Sequence, residues 1–321
     1  MYRKDFVTII GGSGFIGGYV CGVLHKNGIP FEILDLKPPK KFSEHFKYCD
    51  IREKSTLIDA ISGSTVINLA AVHSDDVINC GDYYKTNVEG MHNLISVAKT
   101  KEIKKIIFTS SVAVYGPSSK IVDETKIPHP LSDYGKSKLL AEKLLIDWAV
   151  DEACQYFIIR PTAVFGPGGG GNIRNLIDQI ISKKFAIIGS GSNKKSLAYV
   201  ENLADFIFST LNYTGDCRIV NYVDDPDLSV SELTSIIANA AFGVNKSYVR
   251  IPTPIAILVL QIFKNLNKIL GRSSTITPER AKKFASSSQF SSRKEFINNF
   301  SASFDNVSAL KLTVNQQNRE L

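Results

Sequence analysis

A doubly wound α/β fold, a parallel sheet clad by helices with a smaller C-terminal lobe interleaved with it, is the architecture this sequence predicts. Three observations carry that prediction. Short apolar runs alternate with helical patterns through the first half, a glycine turn follows the first run directly, and the second run ends on a carboxylate.

The first strand is Phe6–Ile10, which enters Gly11-Gly12-Ser13-Gly14-Phe15-Ile16-Gly17 and a helix over Gly14–Asn27. Gly11 permits the tight turn, Gly14 lets the backbone approach a pyrophosphate, and Gly17 lets helix and strand pack closely; the helix N-terminus offers its amides to the anion. The spacing is GxxGxxG, less specific than GxGxxG, and alone it is also met in an ordinary tight turn. The second strand, Phe31–Leu34, narrows the choice. Asp35 at its end stands where a carboxylate binds the adenosine ribose hydroxyls of NAD and repels the extra phosphate of NADP. Asp50 and Ile51, after a further short strand, fit an adenine-edge contact. Strands at Thr65–Leu69, Ile106–Thr109 and Tyr156–Ile159 and helices at Asp82–Thr100 and Ser132–Val150 leave room for the crossovers that parallel strands need. After Pro167 the character changes: a glycine-rich turn over 166–172, a helix, a hairpin expected around Ile187–Tyr199, then more helices. The expected division is a Rossmann-type domain over 1–165 and a substrate lobe over 166–321, interleaved with the sheet.

Composition excludes several classes. Hydrophobic residues at 44% and charged residues at 21% rule out a disordered chain. The five cysteines show no CxxC pair and no histidine at ligand spacing, which reads as reduced thiols and no metal site. Nothing calls for nucleic acid. The N-terminus runs straight into a strand, so no signal peptide is expected, and no apolar run approaches the roughly 18–20 residues of a membrane span. The net charge of +7 is uneven: from Arg250 onward 11 Lys and Arg face 4 Asp and Glu, and the rest sums to zero. That asymmetry suits either an anionic partner, phosphate or membrane surface, or a solvated basic face.

Tyr134-Gly-Lys-Ser-Lys138 opens a predicted helix, with Tyr134 and Lys138 one turn apart on one face. A tyrosine with a pKa near about 10 is a poor base at neutral pH, and a lysine charge beside it favours the phenolate. A lone YxxxK is commonly just a solvated helix face. Upstream, Phe108-Thr109-Ser110-Ser111-Val112-Ala113-Val114-Tyr115-Gly116 ends a strand at the C-terminal sheet edge, where catalytic groups gather in such folds. There Ser111 can donate to a sugar oxygen beside Tyr134.

GGSGFIGG, the strand-end Asp35, Asn68-Leu-Ala-Ala71, Asn87-Val-Glu-Gly90, TSSVAVYG and YGKSK follow in an order and spacing that resembles the extended short-chain dehydrogenases, the NAD-dependent sugar epimerases and dehydratases. The resemblance implies Ser111, Tyr134 and Lys138 as catalytic residues. It implies NAD against Gly11, Gly14, Phe15, Ile16 and Gly17, against Asp35, Asp50 and Ile51, and against Leu69, Ala70, Ala71, Asn87, Tyr134, Lys138 and Pro161. It also implies exclusions. The 4,6-dehydratases of this superfamily carry an Asp-Glu pair where this chain has Val112-Ala113, and the 3,5-epimerases use a cysteine and a lysine that this strand end does not supply. Chemistry at one carbinol carbon remains: oxidation, reduction or 4-epimerisation.

Arg160-Pro-Thr-Ala-Val-Phe-Gly-Pro167, Gly171-Asn-Ile-Arg-Asn175, Lys194–Asn202, NYVDDPDLSV at 221–230 and Arg280–Phe290 look most like bacterial enzymes that epimerise N-acetylglucosamine carried on undecaprenyl diphosphate. UDP-sugar epimerases commonly have asparagine where this chain has Ala163, and arginine where it has Lys195. Asn175, Lys195 and Arg280 are the candidate diphosphate contacts, with plain surface polarity as the alternative. On a helix over 254–272, Gln261, Lys264, Lys268 and Arg272 make one narrow polar stripe and nearly everything else is apolar. Such a helix either packs on its own domain or lies in a membrane interface.

The expectation is therefore an NAD-dependent 4-epimerase of a diphosphate-linked amino sugar, GlcNAc and GalNAc on undecaprenyl diphosphate, in surface polysaccharide (O-antigen-type) synthesis. Its expected place is the cytoplasm, peripheral on the inner face of the cytoplasmic membrane where the C-terminal helix touches lipid. A homodimer is expected on resemblance alone. The rivals are a UDP-sugar 4-epimerase, an NAD(P)H-dependent 4-ketosugar reductase and a non-catalytic NAD-binding regulator.

Overall fold

The computed structural model describes residues 3–73, 80–244, 246, 248–269, 278, 284–293 and 300–320. Its main sheet contains β1 (Arg3–Ile10), β2 (Phe31–Asp35), β3 (Phe46–Tyr48), β4 (Gly63–Asn68), β5 (Lys105–Thr109) and β6 (Gln155–Pro161), joined by β10 (Arg218–Tyr222) from the second half. All pairings are parallel, in the order β10-β6-β5-β4-β1-β2-β3. The winding reverses between β1 and β4, and the C-terminal ends of those two strands open the crevice in which such sheets bind ligands.

Alternation along the strands fills both faces. On one, Leu34, Val66, Ile106, Phe108 and Ile158 pack under α2 (Lys54–Ala60), under the helix that starts with α3 (Gly81–Tyr83), passes a π-turn at Tyr84–Glu89 and continues as α4 (Gly90–Thr100), and under α5 (Asp133–Asp151). On the other, Ile9, Ile33, Ile67, Ile107, Phe157, Ile159, Val220 and Tyr222 pack under α1 (Phe15–Lys26) and α7 (Val200–Ser209). Both faces of a parallel sheet must be covered, and here half of one covering comes from residues beyond 199.

The remaining core belongs to the C-terminal part. Phe165 in β7 (Ala163–Phe165), Leu197 and Tyr199 in β9 (Lys194–Tyr199) and Leu228 in β11 (Asp224–Ser229) meet α6 (Gly171–Ile181), α8 (Val230–Phe242) and α10 (Asn306–Glu320). The predicted hairpin around Ile187–Tyr199 does not form. β8 (Ile187–Ile188) pairs in parallel with β12 (Arg250–Ile251), which leads into α9 (Thr253–Ile269), while β9 lies between β11 and β7. Gly189 and Gly191, both at positive φ, turn the chain away between the two strands. All five cysteines are free thiols.

One buried cation joins the halves. Lys105 on β5 is 7% exposed, and its ammonium donates to the carbonyls of Thr210, Leu211 and Tyr213 at 2.7, 3.0 and 2.8 Å. It ties off the C-terminal end of α7, where carbonyls have no partner within the helix. Burial pushes its pKa down to about 8. Lys105→Met should cost about 2–3 kcal/mol in urea denaturation at pH 7, since it strands those acceptors.

Candidate active site

The glycine turn is built by close backbone approach. Gly11 sits at φ +81°, its amide donating to Leu34 O at 2.8 Å, and a Cβ there would lie 2.6 Å from Ala70 N. A Cβ on Gly17 would come within 2.5 Å of Gly11 O, so α1 crosses the turn in contact with it. At Gly14, the N-cap of α1, a Cβ would meet only Gly11 O, at 3.2 Å. Asp35, half-buried at the end of β2, accepts from the Ser13 amide at 3.0 Å and from the Leu36 amide at 2.7 Å. Its carboxylate is thereby held across the mouth of the turn. Ser13 Oγ is buried with no hydrogen-bond partner, a state that asks for a polar ligand. Cradle, carboxylate and orphaned hydroxyl together fit a dinucleotide with free ribose hydroxyls.

The other residues expected at a cofactor fall around that turn unevenly. Leu69, Ala70 and Ala71 follow β4 at the point of reversal, Leu69 N bonding Ile10 O at 2.8 Å. Phe15 and Ile16 open α1; the Phe15 ring lies edge-on to Tyr19, and a Cβ on Gly169 would strike it at 2.5 Å. The Tyr19 hydroxyl donates to Pro167 O at 2.9 Å, so the glycine-rich 166–170 loop lies against α1. Pro161 ends β6, next to Thr162, whose buried Oγ1 has no partner. Asp50 is 5% exposed, and its carboxylate grips Arg52 through both oxygens, Nε donating at 2.8 and 3.0 Å; that bond holds its pKa below the usual range. Ile51 is core, against Gly90, and its carbonyl takes Asn93 Nδ2 at 3.2 Å. An adenine contact from this pair is left to the Ile51 amide and the outer edge of Asp50.

Asn87 lies within the π-turn and is 4% exposed. Its Oδ1 accepts from Val72 N at 3.0 Å, and its Nδ2 donates to Ser137 Oγ at 2.9 Å; Ser137 Oγ in turn donates to Tyr134 O at 2.9 Å. The asparagine thus staples the loop after β4 to the first turn of α5. π-turns recur at functional sites because they set such a side chain out of helical register.

Ser111, Tyr134 and Lys138 are brought to one place, the C-terminal edge of β5. Ser111 caps a short 3₁₀ turn over Val112–Tyr115, and its Oγ accepts from Ala113 N at 3.1 Å, which leaves its own O–H as a donor. Lys138 is 1% exposed; its Nζ donates to Thr109 O at 2.9 Å and lies 4.6 Å over the Phe108 ring. Tyr134, half-buried, stands one turn earlier with its ring 6.0 Å from that of Tyr83. Sequence reasoning missed the residue that lets these elements meet. A Cβ on Gly135 would sit 2.6 Å from Ala113 O, so only glycine allows the start of α5 to abut the Ser111 turn. The glycine of YGKSK was the available signal.

A buried polar group behind the triad was also not foreseen. Arg160 on β6 donates Nε to Glu142 Oε1 at 2.9 Å and Nη1 to the Tyr115 hydroxyl at 2.8 Å, and that hydroxyl donates to Asn221 Oδ1 at 2.9 Å. Glu142 lies one turn beyond Lys138, and Tyr115 ends the turn that Ser111 begins. The pair is 1% and 3% exposed at Glu142 and Arg160, where loss of one partner would leave an uncompensated buried charge.

Of the three expected diphosphate contacts, Asn175 is exposed on the first turns of α6. Lys195, on β9, donates to Ser286 O at 2.6 Å and so joins the 284–290 segment to that strand. Arg280 lies outside the described residues.

Burial pulls the Lys138 pKa down from its ordinary 10.5 to about 7, with Glu142 opposing. Between those values the unfolded chain binds the proton that the folded one sheds, so the burden on stability is full below pH about 7 and fades toward 10.5. Relative to wild type, a cofactor-free Lys138→Met protein should therefore be most favoured at pH 7 and steadily less so toward pH 10. Melting curves across that range check it; a flat difference would mean that the amine carries no such burden.

Comparison with known proteins points the same way as the geometry. Residues 7–221 match the model of the NAD dependent epimerase/dehydratase family. The chain is 37% identical, over 94% of its length and 92% of the relative's, to the N-acetyl-α-D-glucosaminyl-diphospho-ditrans,octacis-undecaprenol 4-epimerase of Escherichia coli O157:H7. In three dimensions it resembles the UDP-glucose 4-epimerase of Thermotoga maritima solved with UDP-glucose (TM-score 0.78, 22% identity, 98% of this chain and 99% of that one). It resembles equally MoeE5 solved with UDP-glucuronic acid and NAD (TM-score 0.78, 21% identity, 98% and 99%).

Proposed function

The chain belongs to the NAD-dependent epimerase/dehydratase family, and from that premise we propose that it is a 4-epimerase interconverting GlcNAc and GalNAc on undecaprenyl diphosphate. The cofactor is NAD. The observation that carries the chemistry is the meeting of Ser111, Tyr134 and Lys138 at the C-terminal edge of β5, where the two residues after Ser111 are Val112 and Ala113, which can move no protons. Such a site handles one carbinol carbon. For the substrate, support comes from the relative that acts on a diphospho-undecaprenol sugar, because that likeness runs through both lobes.

Each residue then has a task. The turn shaped by Gly11 and Gly17 would receive the pyrophosphate at Gly14 and the start of α1, Asp35 would hold the adenosine ribose, and Lys138, with donors to spare beyond Thr109 O, the nicotinamide ribose. Tyr134 takes the proton of the C4 hydroxyl while Ser111 donates to the same oxygen, and the buried Lys138 ammonium favours the phenolate. Bound NAD supplies the acceptor, and afterwards the donor, of the C4 hydride. The 4-keto sugar turns about its diphosphate linkage, so that C4 presents its other face, and Tyr134 returns the proton. Water must be kept out while the ketone exists, a task that falls to the 166–170 loop on α1 and to Asn175 and Lys195 beside the diphosphate.

Nucleotide-linked sugar is the second reading, and one observation weighs against it. Ala163 is exposed at the start of β7, and its methyl offers a diphosphate no hydrogen bond where UDP-sugar enzymes commonly place asparagine. A lipid-linked substrate makes the chain a peripheral protein at the inner face of the membrane in surface polysaccharide synthesis. Among the described residues no helix is long and apolar enough to cross a membrane. A homodimer completes the reading, on the family resemblance alone.

The test is turnover of GlcNAc-diphosphoundecaprenol by purified protein with no nicotinamide added, followed by release and identification of the sugar. GalNAc is the expected product. Conversion of UDP-GlcNAc alone would sink the lipid substrate and keep the chemistry, whereas conversion of a 4-keto sugar only with added NAD(P)H would replace the epimerase by a reductase.

A further inference from the structure

The sequence leaves open which side of the apolar 254–272 helix faces its own lobe, and the structure divides it. Ala256 on α9 is 6% exposed, and Ile257 and Leu260 are half-buried beside it. Ile255, Leu258, Val259 and Ile262 are 52%, 62%, 43% and 51% exposed. Their spacing of i, i+3, i+4 and i+7 sets them in one line along the helix. Scattered exposed apolar side chains need no explanation, but four branched aliphatics in a row do. The helix is anchored from below: β12 pairs with β8, and Gly189 N donates to Ile251 O at 2.9 Å, so the stripe is presented by the C-terminal lobe and not by a loose tail.

We propose that α9 docks this protein on an anionic lipid surface, with Ile255, Leu258, Val259 and Ile262 sunk to the boundary between headgroups and acyl chains. Charge selects this occupant. Between Glu232 and Glu279 there is no carboxylate, while Lys246, Arg250, Lys264, Lys268 and Arg272 fall in that stretch. By the helix period Lys264 and Lys268 fall about half a turn round from that apolar line, so one side of the helix is apolar and the other basic, as in a helix lying in a bilayer interface. Anionic headgroups meet both needs, the apolar stripe by insertion and the cations by attraction. The inference rests on the lipid-linked reading for its purpose: docking by this lobe brings α6 and β9 to the bilayer, where a sugar diphosphate can be taken up while its polyprenyl tail stays in the membrane.

Flotation of purified full-length protein with vesicles of phosphatidylethanolamine and phosphatidylglycerol tests it, with phosphatidylcholine vesicles alongside. Wild type should float with the anionic vesicles. Leu258→Asp/Ile262→Asp should lower partitioning by about tenfold or more on both vesicle types, from lost apolar burial and added charge. Lys264→Glu/Lys268→Glu should lower it by about tenfold on the anionic vesicles only. Turnover of a short-chain, water-soluble GlcNAc-diphosphate lipid should be unchanged in both variants. If the first variant melts below the wild type, the second carries the test. Absence of wild-type flotation overturns the proposal, and so does equal flotation of both variants. A wild-type dimer that the first variant splits, with no vesicle binding, gives the face to a second copy. Flotation with no turnover of any lipid-linked sugar leaves the docking standing and sinks the substrate reading; the reverse result does the opposite.

Discussion

Tyr134→Phe should lower turnover about 10²–10⁴-fold, the range that a positioned general base contributes, with the NAD content of the purified protein unchanged. The hydroxyl is the only group removed, and the ring keeps its place 6.0 Å from Tyr83. Ser137 bonds the Tyr134 carbonyl and not its side chain, so the staple through Asn87 survives. A binding protein without catalysis would lose nothing. Single-turnover assays with released NAD quantified separately decide the matter: retained turnover would remove Tyr134 from the mechanism, and lost NAD would assign it to cofactor binding instead.

Gly11→Ala should cost about 2–4 kcal/mol of stability and empty the protein of NAD. The methyl would enter at φ +81° and 2.6 Å from Ala70 N; left-handed backbone costs a non-glycine residue about 1–2 kcal/mol, and displacement of the 69–71 loop adds a similar amount. The control is Gly18→Ala, seven residues on in α1, where a Cβ meets nothing within 4 Å. Relief of the helical glycine should leave that variant neutral or stabler by up to about 1 kcal/mol. Denaturation of both proteins, with their NAD measured after acid release, checks the pair. Equal behaviour would mean that the turn tolerates a side chain and does not set the cofactor cradle.

The residues legible in the sequence are those whose type is dictated within a few positions. Gly11 answers to a positive φ and Gly17 to backbone contacts, both inside one turn, Asp35 to the end of one strand, and Tyr134 and Lys138 to one turn of one helix. The five predicted strands fall within β1, β2, β4, β5 and β6 or within a residue of them, because an apolar run between turns carries its own periodicity. α2 went unseen for want of such a run, and the short strand expected ahead of Asp50 is β3, a three-residue edge strand with two exposed side chains. What stayed illegible has its partner far along the chain. The bond by which Lys195 ties β9 to Ser286, 91 residues later, has no local signal. Arg160, Glu142, Tyr115 and Asn221 share no spacing that marks them as one group, and β8 and β12 are two residues each. For α9 the pattern gave the apolar character, and only tertiary packing gave the side turned outward.

The place of β10 has a consequence for how this chain is made. β6 is left as a sheet edge until residues 218–222 arrive to pair with it, and α7, which covers the same region, is also late. At ordinary rates of synthesis the roughly 60 residues between β6 and the end of β10 take on the order of 3–12 s. Through that interval a nascent chain that already has its glycine turn and Ser111 carries an open, apolar strand edge, the kind that pairs with a neighbouring chain. That interval is when a chaperone on the ribosome would find this protein.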